Sequence, residues 1–138
     1  MKKHHIDIRW KESLKFEAEA YGQKLMLDGD VAPGEPTTGF RPKPLMLISL
    51  AGCTAMDVAS LLEKMRVKFS DFTVDVDAEL TEEHPQMYVR VHIIYKIKIN
   101  PEDRDKMEKA VKLSREKYCG VSFMFSKFSD LSHEIVYL

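Results

Sequence analysis

The strongest pattern in the chain is a strict alternation of apolar and polar residues through its middle. Phe72, Val74, Val76, Ala78 and Leu80 alternate with Asp71, Thr73, Asp75, Asp77 and Glu79. Beyond a connection at residues 81–85, Met87, Val89, Val91, Ile93, Tyr95, Ile97 and Ile99 resume the alternation with mostly polar neighbours. A period of two on both sides of a short connection predicts an antiparallel hairpin with one buried face. Matching the apolar faces places Leu80 opposite Met87, Asp77 opposite Arg90 and Asp71 opposite Lys96. Such pairs contribute about 0.2–1 kcal/mol each, so the charges read as a solvated, self-neutralising sheet face.

Shorter alternating runs at residues 6–10 and 14–20, and a further run at 23–27 after the Tyr21-Gly22 turn, predict three strands. A connection over residues 28–43, punctuated by Gly29, Pro33, Gly34, Pro36, Gly39 and Pro42, is a candidate wall or lid. From Pro44 to about Met65 the apolar run is too long for one strand and predicts a helix, apolar nearly all round before Asp57 and therefore buried. Gly52 inside it costs about 1 kcal/mol against alanine, which suits a close approach beside Cys53 or tight helix packing. A second helix starts with Asn100 as N-cap and Pro101 in its first turn, with Met107, Ala110, Val111, Ser114 and Tyr118 as its inner stripe. Gly120 marks a stop or kink, residues 121–128 a short helix and 132–138 a final strand. The predicted order β-β-β-α-β-β-α-α-β is an α+β arrangement in one domain spanning residues 1–138.

Composition narrows the function classes. The 138 residues are 44% hydrophobic and 31% charged with a net charge of −1, an ordinary globular balance that gives no reason to expect nucleic acid or an anionic membrane as partner. The polar N-terminal stretch has no signal-peptide pattern. The uncharged run 44–56 is 13 residues, short of the roughly 20 a bilayer needs. A cytoplasmic location follows as the expectation, and there a disulfide is transient rather than structural.

Two cysteines, Cys53 and Cys119, sit in distinctive settings: Leu50-Ala51-Gly52-Cys53-Thr54-Ala55-Met56-Asp57-Val58 and Glu116-Lys117-Tyr118-Cys119-Gly120-Val121-Ser122. They read either as a redox pair joined by folding or as two small buried hydrophobes. His4, His5, His84, His92 and His133 show no metal-ligand spacing with them, so neither metal nor cofactor is expected. Asp57 follows Cys53 by four residues on the same helix face, where a carboxylate opposes thiolate formation; it reads as structural or interface-pairing, with Lys64 or Arg66 as candidate partners. No phosphate loop or Ser-His-Asp arrangement is present in the sequence pattern.

These motifs, with Glu83-His84-Pro85 ahead of the long strand, resemble the OsmC/Ohr family of osmotically inducible and organic-hydroperoxide-resistance proteins, nearest its OsmC-like branch. The resemblance covers nearly the whole chain. It implies two antiparallel sheets packed around long central helices in an intertwined homodimer, with a site at each subunit interface. It further implies a cysteine-based thiol peroxidase acting on a small organic hydroperoxide in oxidative-stress defence. Cys53 would be the peroxidatic thiol, Cys119 the resolving thiol, and an external thiol (lipoyl-type or a small dithiol) the reductant.

The chain departs from the family pattern where competent members carry a glutamate ahead of the helix and an arginine in the N-terminal strands. Pro44 and Lys43 stand at the first place, and Lys15 is the cation nearest the second. Mid-helix, Cys53 gains little from its own helix dipole, so it needs a cation. Lys15, Arg41 and Lys43 are the candidates for a substrate-pocket or thiolate-stabilising role. Lys43 lies about 15 Å from Cys53 by helical rise, too far to touch the sulfur directly in its own subunit; a dimer interface or a folding back of the loop would bring either Lys43 or Arg41 within reach. The alternative function is a non-enzymatic OsmC-like stress or small-molecule-binding protein.

Overall fold

The computed structural model describes residues 1–138, which fall into two compact units, Met1–Leu47 and Ile48–Leu138. The first unit holds β1 (Asp7–Glu12), β2 (Lys15–Ala20) and β3 (Gln23–Leu27), an antiparallel meander in the order β1-β2-β3. Its hairpin turns use positive φ at Ser13, Tyr21 and Gly22. The long connection folds back on the end of β3 through the Phe40 N–H to the Met26 carbonyl (2.8 Å) and the Asp28 N–H to the Phe40 carbonyl (3.0 Å). Gly39 is required there, because a Cβ would lie 2.9 Å from the Met26 and Leu27 backbone. The loop thereby walls a cleft of about 590 Å³ lined by Gly29, Asp30, Val31, Thr37, Phe40 and Arg41.

Helix α1 (Pro42–Lys64) leads into the second unit. Its buried positions, Leu50, Thr54, Val58 and Leu62, repeat every four residues and form one narrow stripe. The expectation of a helix buried all round is corrected: Met46 and Ile48 are exposed, and Met56 is 75% exposed. A single chain supplies packing for one face only. The membrane-span expectation also changes. Asp57 is the only charged residue between Pro44 and Leu62, so α1 is long and apolar enough to cross a membrane by length and composition. Thr54 and Asp57 are nevertheless tied by side-chain hydrogen bonds to the rest of the second unit, as in a core helix.

Strands β4 (Phe69–Leu80) and β5 (Tyr88–Ile99) form the antiparallel hairpin, with Val91, Ile93, Tyr95 and Ile97 fully buried. Its register differs from the predicted one. Asp77 faces His92, Glu79 faces Arg90, and Thr73 faces Lys96, a slip of two residues. A slip of two keeps every side chain on its face, so apolar matching cannot detect it. A bulge between Ser70 and Thr73, with Asp71 at φ 50°, removes Asp71 from the ladder. The outer face still neutralises itself, through Arg90–Glu79 (3.3 Å) and Lys96–Asp75 (2.9 Å).

A 3₁₀ turn (Pro101–Asp103) opens α2 (Arg104–Leu113); one π turn (Ser114–Tyr118) follows, then α3 (Gly120–Phe128) and β6 (Asp130–Tyr137). The fold is α+β with two three-stranded sheets and three helices, but the second sheet is mixed rather than antiparallel. β6 pairs with β5 in parallel, from Arg90↔Asp130 to Ile97↔Tyr137. The helical crossover between them returns the chain to the same end of the sheet, as a parallel pair requires.

Candidate active site around Cys53 and Cys119

Met107, Ala110, Val111 and Ser114 form the predicted inner stripe, but Tyr118 is 52% exposed. The π turn explains the difference. The Cys119 N–H reaches back five residues to the Ser114 carbonyl (2.8 Å), which widens the last turn and sends Cys119 inward in place of Tyr118. Cys119 then takes extended backbone (φ −80°, ψ 96°) and caps α3, its sulfur accepting from the Ser122 N–H at 3.3 Å. The Ser122 hydroxyl donates to the Cys119 carbonyl at 3.0 Å. Gly120 is thus the first residue of a helix, not the end of one.

Cys53 meets this cap from α1. The ligand-forming atoms of Cys53, Asp57 and Cys119 all lie within 4.8 Å of one another. Cys119 is 3% exposed and Cys53 half-buried; both are free thiols. Burial is the largest influence on Cys53 and, with contact to the Cys119 thiol and the negative charge of Asp57, pushes its pKa up to about 11. The Val121 backbone amide opposes that shift, favouring the thiolate. The Ser122 amide thus meets the Cys119 sulfur, and the Val121 amide favours negative charge on Cys53, at the helix end where the dipole does the same. Sequence reasoning considered only the helix that carries Cys53 and missed the one it abuts.

A chain of hydroxyls runs behind the thiols. The Ser114 hydroxyl donates to Asp57 Oδ2 at 2.9 Å, which uses its only hydrogen. Thr54 must then donate to Ser114 (2.8 Å), and Tyr95 to Thr54 (2.7 Å). Burial holds the Tyr95 phenol above its ordinary value, in keeping with its role as donor. Asp57 pairs with neither Lys64 nor Arg66 but with Ser114. Arg115, one residue on, contacts His133 Nδ1 and donates to the Leu131 carbonyl (3.4 Å); no sequence signal singled it out.

The three candidate cations have partners or positions of their own. Lys15 opens β2 and pairs with Glu12 (3.6 Å); Arg41 pairs with Asp30 (3.0 Å) beside the loop cleft; Lys43 is exposed in the first turn of α1. The charges acting on Cys53 are those of Cys119 and of the Asp57 carboxylate, and both oppose its thiolate.

A family model described as "OsmC-like protein" matches residues 33–134. The chain belongs to the OsmC family. Protein YhfA of Escherichia coli K12 is 31% identical over 127 residues, covering 91% of this chain and 92% of its own. Among solved structures, an OsmC-like protein from Mycoplasma pneumoniae superposes with a TM-score of 0.83 at 13% identity, over 99% of this chain and 98% of its own. OhrB of Bacillus subtilis, an organic hydroperoxide resistance protein, gives 0.64 at 15%, over 97% and 98%. At these identities the structures establish the fold, and the OsmC fold here carries both cysteines in one cluster.

Proposed function

We propose that this OsmC-family chain is a thiol peroxidase for organic hydroperoxides, acting in oxidative-stress defence. The observation that carries the reading is the Cys53–Cys119 cluster, with sulfurs within 4.8 Å at the first turn of α3. The Cys53 thiolate attacks the O–O bond of a hydroperoxide, the alcohol leaves, and Cys53 becomes a sulfenic acid. The Cys119 sulfur displaces water to form the disulfide, and an external dithiol reduces it by exchange.

The reaction needs Cys53 below its isolated-chain pKa, so the reading includes a homodimer. The partner subunit brings Lys15, Arg41 or Lys43 to the sulfur. Each unit leaves apolar side chains for such a partner to cover: Ile8, Trp10 and Met46 in the first, Ile48 and Met56 in the second. The whole chain acts as one domain, in the cytoplasm, without cofactor.

A non-enzymatic OsmC-like binding protein is the second reading. The observation favouring it is the Cys53 thiol, pushed up to about 11 beside a carboxylate. Trapping separates the two. Under the peroxidase reading a Cys119→Ser protein exposed to an organic hydroperoxide accumulates a sulfenic acid at Cys53, while a Cys53→Ser protein stays unoxidised. Oxidation proceeding unchanged in Cys53→Ser contradicts the assigned roles.

A further inference from the structure

We propose that Cys53, Asp57 and Cys119 form, in the reduced protein, a three-ligand site for a thiophilic divalent cation of the Zn²⁺ class. Two sulfurs and one carboxylate oxygen converge within 4.8 Å, from one face of α1 and from the cap of α3. Ligand bonds of about 2.3 Å to sulfur and 2.0–2.2 Å to oxygen put tetrahedral neighbours roughly 3.5–3.8 Å apart, so small side-chain rotations close the set. Two thiolates and a carboxylate suit Zn²⁺ over Mg²⁺ or Ca²⁺, and three protein ligands leave one position open.

The ligands also have the outer partners that a metal site requires. Ser114 donates to Asp57 Oδ2 (2.9 Å) and is itself held by Thr54, while the Ser122 N–H meets the Cys119 sulfur (3.3 Å). Such contacts fix ligand orientation before the metal arrives. Charge points the same way. Asp57 repels a thiolate at Cys53, and a divalent cation between them turns that repulsion into attraction on both.

The proposal does not rest on the peroxidase reading, since metal binding reads out without any peroxide. The test titrates the reduced full chain with Zn²⁺ against a chromogenic chelator, and with Co²⁺ as an optical probe. The expected result is one metal per chain with a thiolate-to-Co²⁺ charge-transfer band, absent from the disulfide form. Cys53→Ser and Cys119→Ser should each remove that stoichiometric binding. Ser114→Ala should weaken it on the order of tenfold or more through loss of the Asp57 contact, and Asp57→Asn by at least as much. Slower alkylation of both thiols in Zn²⁺-loaded wild-type protein supplies a readout that needs no variant. Absence of stoichiometric binding, a Co²⁺ spectrum without a thiolate band, or binding that survives Cys53→Ser would overturn the proposal.

Discussion

The Ser114 hydroxyl donates a 2.9 Å hydrogen bond to Asp57, fifty-seven residues earlier in the chain, and so joins the helix of Cys53 to the turn that delivers Cys119. The bond ends a line of buried hydroxyls from Tyr95 through Thr54. Position and polarity are thereby coupled: the contact that registers the two thiols also holds a carboxylate beside them.

Thr54→Val keeps the shape of a fully buried residue while leaving Ser114 without a donor and Tyr95 without an acceptor. Loss of buried hydrogen-bond partners costs about 1–3 kcal/mol, more than the valine methyl returns. Urea unfolding should show that loss with an unchanged m-value.

Asp57→Asn removes the negative charge that helps hold Cys53 protonated. Burial is the larger cause and stays, so the thiol pKa falls only part of the way from about 11. At neutral pH a lower pKa means more thiolate, and alkylation of Cys53 should speed up a few-fold. An unchanged or slower rate would show that the carboxylate does not act on the sulfur.

His133 is held below its ordinary pKa of 6.5, first by burial and then by the positive charge of Arg115, with His92 adding to it. A base whose folded pKa is depressed binds fewer protons folded than unfolded, so stability is full above about 6.5 and falls as pH drops towards the folded value. Replacing His133 with Gln should flatten that acid-side loss of thermal midpoint. An identical pH slope in the variant would contradict the assignment.

Much of the fold was legible in the sequence because period-two alternation and helix-start residues are local signals. Every strand and helix fell within a few residues of its predicted span. The hairpin register was not legible, since shifting Asp77 from Arg90 to His92 leaves the apolar face untouched. Nor was the inward turn of Cys119, which depends on one hydrogen bond from its N–H to Ser114. At the site, the sequence singled out both cysteines. It could not reveal that the cap of α3 would meet Cys53, or that Asp57 would meet Ser114 rather than Lys64, because those are contacts between distant segments.

Gly52 tests the dimer. Within one chain nothing lies within 4 Å of a Cβ built there. On an open helix face Gly52→Ala should stabilise by about 0.5–1 kcal/mol. Packing against a partner instead predicts that alanine is neutral or destabilising and that Gly52→Leu weakens self-association in sedimentation. The full gain from alanine, with no change in mass on leucine substitution, would count against an interface beside Cys53.

The most direct measurement is to treat the fully reduced protein with one equivalent of an organic hydroperoxide and follow free thiols and intact mass over seconds. The account predicts loss of both thiols together, a mass decrease of two hydrogens, and recovery on adding a dithiol. Thiols unchanged after minutes, in protein shown to be reduced and folded, would contradict it and leave an OsmC fold whose cysteine cluster serves something other than peroxide chemistry.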